Sequence, residues 1–130
     1  MTKQAHGTFD VTLTQQSIEN ATDDAMMQRR AIDKRYHGPL DGTAVGQMLS
    51  VGSAAGSGVY VAVERVTATL DGRTGTFALY HTGTMERGTP TLSIRVVPDS
   101  GTGELEGLRG MMTIDIRDKQ HLYTFDYAIG

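Results

Sequence analysis

Along most of the chain, apolar and polar residues alternate with a period of two. Phe9, Val11 and Leu13 alternate with Thr8, Asp10, Thr12 and Thr14. Ile32, Lys34 and Tyr36 alternate with Asp33, Arg35 and His37. This is the pattern of strands with one buried and one wet face. The clearest case lies in residues 58–87. Val59 to Leu70 predicts a strand, Asp71-Gly72 a two-residue turn, and Thr74 to Glu86 the return strand. Asp-Gly suits that turn because both of its positions must accept positive φ. The turn sets a register in which Leu70 faces Arg73, Val66 faces Phe77, Ala62 faces His81 and Tyr60 faces Gly83. One face then carries Tyr60, Ala62, Glu64, Val66 and Ala68 beside Phe77, Leu79, His81, Gly83 and Met85. The other carries Arg65 and the threonines with Val59, Val61 and Val63. The first is the predicted interior, because alternation sorts the large apolar groups onto it.

Two more turns give consistent faces. Gly88-Thr89 predicts a hairpin in which Met85 opposes Leu92, with Ile94 and Val96 on the same face. Asp118-Lys119 joins Met111–Arg117 to Gln120–Ile129, so that Met112, Ile114 and Ile116 share a face with His121, Tyr123, Phe125 and Tyr127. Leu40 to Val51 predicts a further strand whose inner face is ambiguous. The total is eight strands in one domain, residues 1–130, with no helical stretch to cover a sheet. Closing the sheet buries the apolar face and removes exposed edges, which predicts an all-β, closed eight-stranded antiparallel barrel. A two-sheet sandwich is the structural alternative.

Composition agrees and narrows the function. The chain has 16 glycines, 3 prolines and no cysteine, with a formal net charge of −3. Without cysteine there are no disulfides, thiol nucleophiles or thiolate metal sites, which suits a reducing cytoplasm. No basic excess exists to neutralise phosphates, so nucleic acid is not an expected partner. The first residues are polar and lack the apolar stretch of a secretory signal, and no apolar run is long enough for a membrane span. Cytoplasmic localisation is expected. Asn20-Ala21-Thr22 has the form of a glycosylation acceptor, read here as chance. His6, His37, His81 and His121 lack metal-type spacing, so no metal or other cofactor is expected.

The segment Pro98-Asp99-Ser100-Gly101-Thr102-Gly103-Glu104-Leu105-Glu106-Gly107-Leu108-Arg109-Gly110 is distinctive. It resembles the glycine-rich turn before the seventh strand of allene oxide cyclase-like barrels, a group that includes plant dirigent proteins. The chain more closely resembles an uncharacterised bacterial family, of unknown function, placed with that barrel. The matching segments are Ile32–Gly38, Tyr60–Val66, His81–Met85, the Ser-Gly-Thr-Gly turn and Tyr123–Tyr127. The resemblance implies a barrel of the allene oxide cyclase-like type, often oligomeric, whose lumen binds a small apolar molecule. In the cyclase and dirigent branches the protein steers a reactive intermediate without a cofactor. Read from the residues alone, the glycines serve a tight bend at the barrel rim.

Polar groups on the apolar face are the best functional signal. Glu64 and His81 lie one diagonal step apart in the predicted register, within reach of each other. Lys34 shares its face with Ile32 and Tyr36. Buried charges must be paired or shifted in protonation, so a Glu64–Lys34 or Glu64–His81 pair that merely satisfies itself is one reading. In the other, Glu64 and His81 are the acid/base or orienting groups of a pocket. Lys34, Tyr36, Tyr60, Phe77, Tyr123 and Tyr127 would then be its ligand-binding lining. The expected function is binding of a small apolar molecule, with cofactor-free isomerisation or cyclisation as its enzymatic form. The rivals are a non-catalytic carrier or sensor, and a structural subunit with a filled lumen. Val59, Val61 and Val63 on the outer face predict a homo-oligomer, a dimer or trimer.

Overall fold

The computed structural model describes residues 2–19 and 26–130. Asn20-Ala21-Thr22 lies outside the described residues. Eight strands run in chain order: β1 (Lys3–Gln16), β2 (Met27–His37), β3 (Leu40–Gly52), β4 (Gly58–Leu70), β5 (Arg73–Glu86), β6 (Thr89–Val96), β7 (Leu108–Arg117) and β8 (Gln120–Ile129). Each pairs antiparallel with the next, and β1 pairs with β8 from Lys3↔Tyr127 to Phe9↔His121, so the sheet is a closed barrel. Closure through β1 and β8 excludes the two-sheet sandwich. Among the described residues, no helix is long and apolar enough to cross a membrane.

Turn chemistry sets the register. At the β4–β5 hairpin Asp71 and Gly72 have φ of 47° and 87°. Leu70 faces Arg73, Val66 faces Phe77, Ala62 faces His81 and Tyr60 faces Gly83, as the sequence predicts. Asp118 and Lys119 likewise turn β7 into β8 with Arg117 facing Gln120. The β5–β6 turn differs from expectation. It is built on Arg87 and Gly88, with φ of 49° and 87°, so Met85 faces Pro90 and Leu92 faces Gly83. A Gly88-Thr89 turn would force a β-branched threonine to positive φ, which an arginine accepts at lower cost. The slip is two residues, so Leu92, Ile94 and Val96 keep the predicted face.

The ambiguous strand β3 turns Leu40, Gly42, Ala44, Gly46, Met48 and Ser50 inward, and leaves Val45, Leu49 and Val51 exposed outside. Its inner face is small because its neighbours' inner faces are large. Gly42 stands between Tyr36 and Ala68, and Gly46 between Ile32 and Glu64. A Cβ on Gly46 would lie 2.1 Å from the Val63 carbonyl oxygen and 2.9 Å from the Glu64 Cβ.

The two ends of the lumen differ. One end is packed shut by Leu40, Leu70, Phe77, Leu105, Leu108 and Phe125, all at or near zero exposure. Leu105 arrives on a single 3-10 turn, Gly103–Leu105, inside the glycine-rich segment. That segment continues the sheet beyond β6. Val97 N–H donates to Ala78 O, Thr102 N–H to Thr76 O, and the Ser100 and Thr102 hydroxyls accept from Ala78 and Thr76 N–H. Gly101 is required because a Cβ there would sit 1.9 Å from the Leu105 carbonyl oxygen. The other end carries the hairpin turns at 53–57, 87–88 and 118–119. There Leu13, Met85, Leu92 and Ile116 continue the inner face but are left exposed.

Tyr123 ties the closed half together. Its hydroxyl accepts from Leu40 N–H at 3.0 Å and donates to the His37 carbonyl at 2.9 Å, holding the β2–β3 turn. Tyr123→Phe strands that buried N–H and is expected to cost about 1–3 kcal/mol of stability, read as a lowered urea midpoint at unchanged slope.

Candidate functional site

Midway along the lumen sits Glu64, whose side chain is 0 % exposed. A carboxylate there must be saturated with donors, and the fold supplies three. From β2, Lys34 Nζ donates to Oε2 at 2.8 Å. From β5, His81 Nε2–H donates to the same oxygen at 2.6 Å. The Tyr36 hydroxyl donates to Oε1. Lys34 also donates to the Tyr36 hydroxyl at 3.4 Å.

Local sequence explains why these groups meet. Lys34 and Tyr36 share the inner face of β2 by alternation. Glu64 and His81 are a diagonal cross-strand pair, since Glu64 faces Leu79 and Ala62 faces His81. Lys34 and Glu64 are not on neighbouring strands. They reach each other across β3, over Ala44 and Gly46, which are small enough to let the pair pass.

Burial by itself raises the Glu64 pKa. The His81 hydrogen bond and the Lys34 charge outweigh it and bring the pKa down to about 2. Burial and the Glu64 charge push Tyr36 well above the usual phenol range, so it stays a neutral donor. Lys34 Nζ also stands 4.9 Å from the Phe9 ring centre and 5.5 Å from that of Tyr36, so aromatic faces solvate the ammonium where water does not.

On the side of the open end lies a cavity of about 150 Å³. Phe9, Val11, Ile32, Met48 and Ala62 form its apolar wall, and Lys34, His81 and His121 supply the polar groups. Glu64 does not line it. The carboxylate lies behind Lys34 and His81, whose side chains are 6 % and 5 % exposed. Chemically this is a mainly apolar pocket, open on one side, that offers the Lys34 N–H donor beside the His81 ring, with an anion behind both holding their orientation. Among the described residues, no three His, Asp or Glu side chains gather in a metal-holding arrangement.

A model of a family described as "Protein of unknown function (DUF3224)" matches residues 5–127. The chain belongs to the DUF3224 family. A crystal structure of a DUF3224 protein of unknown function from Shewanella oneidensis MR-1, at 1.84 Å resolution, is 41% identical to it. The superposition has a TM-score of 0.94 and covers 100% of this chain and 98% of that one. No curated protein matches the chain.

In this DUF3224 barrel, the residues singled out in the sequence fall into two groups. Glu64, His81, Lys34 and Tyr36 come together, and Tyr60 stands at the cavity wall. Tyr36, Phe77, Tyr123 and Tyr127 do not line the cavity. Phe77 stacks on Phe125 at 6.0 Å and Phe125 on Tyr127 at 5.4 Å in the closed half. The Tyr127 hydroxyl donates to Asp71 at the β4–β5 turn. Residues not singled out as lining do line the cavity, among them Phe9, Met48 and His121. Face parity places Phe9 and His121 inside, but their height along the barrel axis follows from strand stagger, which alternation does not encode.

The Glu64 shift makes stability depend on pH. The carboxylate's pKa is lower in the folded chain, about 2, than its ordinary 4.5. The folded state therefore holds the proton less tightly than the unfolded state. The resulting stabilisation is present above about pH 4.5 and is lost as pH falls towards 2. It amounts to about 3 kcal/mol. Urea unfolding between pH 6 and pH 3 should show this loss in the wild type. The slope should flatten in Glu64→Gln, which starts from lower stability because Lys34 is left buried without its counter-ion.

Proposed function

We propose that this DUF3224 chain binds a small apolar molecule carrying one hydrogen-bond-accepting oxygen, in the open half of its lumen. The observation that carries this reading is the about 150 Å³ cavity, whose apolar wall is broken by Lys34, His81 and His121. A mainly apolar cavity of this size has room for a small organic molecule. Lys34 supplies the ligand-facing N–H donor, and His81, whose Nε2–H is spent on Glu64, borders the pocket with its ring. Glu64 is a positioning residue that holds Lys34 and His81 in place. In an enzymatic form, the Lys34 donor would stabilise negative charge developing on the ligand oxygen, which is the stabilisation a cofactor-free isomerisation or cyclisation requires. The resemblance to allene oxide cyclase-like barrels supports that extension. Without turnover, the same pocket makes a carrier or sensor.

Cyclohexanone and methylenecyclohexane test the reading with the wild-type protein. The two have nearly the same shape, and only the ketone accepts a hydrogen bond. The ketone should bind about tenfold more tightly, the value of one net hydrogen bond, and should shift the His81 imidazole resonances. Equal affinities, or binding that leaves His81 unmoved, would falsify the assignment.

The proposal includes a second copy of the chain as partner. Across the outer face of β3–β5, Val51 lies beside Val59, Leu49 beside Val61, and Val63 beside Tyr80, with no charged residue in these rows. Val63 is 57% exposed and Val61 46%. An uncharged flat face of this kind is a subunit contact more readily than a solvated surface. Light scattering should return a mass at least twice 14.0 kDa, falling to 14.0 kDa in Val61→Lys. A wild-type mass of one chain at micromolar concentration rejects the contact.

A further inference from the structure

We propose that the Tyr60 ring is a partition across the lumen, and that it sets how long a molecule the site accepts. Beyond the inner cavity, the rim of the open end holds a larger groove of about 550 Å³, walled from the inner face by Ser50, Met85, Pro90 and Leu92 among others. Among the described residues, Tyr60 alone lines both spaces. The inner cavity has the polar groups at its base, and the groove offers mainly apolar surface.

The neighbours of Tyr60 are arranged so that nothing else can do this. On β4, Tyr60 faces Ser50 of β3 and Gly83 of β5. Gly83 is the seat of the ring, since a Cβ there would lie 2.1 Å from the Tyr60 Cε1 and 2.5 Å from Cδ1. With a small residue on each side, no flanking side chain refills the space when the ring is removed. The ring centre lies 6.3 Å from that of His81, so the partition stands next to the polar base of the pocket. The Tyr60 hydroxyl makes no hydrogen bond to a described residue, so packing on Gly83 holds the ring in place. The barrier is therefore the aromatic ring and not the phenol. A molecule confined to the inner cavity is limited to roughly the size of benzene or cyclohexanone. A longer one must displace Tyr60 to lay its tail in the groove.

This inference rests on the binding reading above, and its test separates the two. The 2-alkanones from 2-butanone to 2-decanone keep the carbonyl constant while the tail grows. In the wild type, affinity should stop rising within the first few members of the series. In Tyr60→Ala it should keep rising, by about threefold to fourfold for each added methylene that enters the groove. Tyr60→Phe should keep the wild-type limit, because the ring remains. Tyr60→Leu, which preserves an apolar strand residue, should place the limit between the two and covers the case in which the alanine variant does not fold. The same length limit in the wild type, Tyr60→Ala and Tyr60→Leu overturns the partition while leaving the binding reading standing. Ketone binding by none of the proteins overturns the binding reading, and the partition with it.

Discussion

A carboxylate without water is the constraint around which this barrel is organised. Taking an isolated carboxylate out of water costs several kcal/mol even after relaxation. The inner half of the lumen is otherwise apolar, so Glu64 is tolerable only while Lys34, His81 and Tyr36 all point at it. Each of those partners imposes a condition elsewhere. Lys34 can reach only over a small residue on β3, hence Ala44 and Gly46. Tyr36 lies opposite Gly42, whose missing side chain leaves room between Tyr36 and Ala68. His81 needs its ring edge turned toward Glu64 from the next strand, which the β4–β5 register supplies. The inner face of β3 is thus decided in part by chemistry on its neighbours, and Val45, Leu49 and Val51 are left to the outside.

This arrangement divides the labour among the polar groups. A carboxylate that takes three hydrogen bonds and remains anionic far below neutrality is a poor proton acceptor. Its field acts through the groups it binds. Lys34 and His81 stay oriented by their bonds to it, and Tyr36 stays a neutral phenol. What the cavity meets of this network as a donor is Lys34. The recognised group is therefore an acceptor, and the surrounding wall of Phe9, Val11, Ile32 and Met48 calls for an apolar remainder.

Much of this was legible in the alternation pattern, and the exceptions have physical causes. The Asp71-Gly72 and Asp118-Lys119 turns each gave the correct register, because Asp71, Gly72 and Asp118 suit positive φ and Lys119, without a branched Cβ, accepts it. At residues 87–89 the glycine could serve as the first or the second turn position. The side chain beside it decided the matter: arginine tolerates the left-handed conformation and threonine resists it. Glu64, His81 and Lys34 could be placed inside from parity alone. Parity sorts residues by face but not by height, so Phe77, Tyr123 and Tyr127 could not be told apart from Phe9, Met48 and His121. Height depends on the stagger of all eight strands, a property of the closed sheet and not of any one hairpin. Tyr36 was placed on the inner face, but its bond to Glu64 crosses β3 and has no local signal.

The pairing of β1 with β8 brings together residues as far apart in the chain as Lys3 and Tyr127. Lys34, Tyr36, Glu64 and His81 all belong to β2, β4 and β5, so every member of the polar network is synthesised well before the strands that complete the wall. Until β8 joins β1, the lumen has an open side and the carboxylate keeps its water. Its dehydration is complete only once this pairing, the one with the longest loop to close, is made. Folding of this barrel should be slow for its size, in keeping with its non-local contacts. Acid that protonates Glu64 in the open sheet would remove the charge that the closing step must bury.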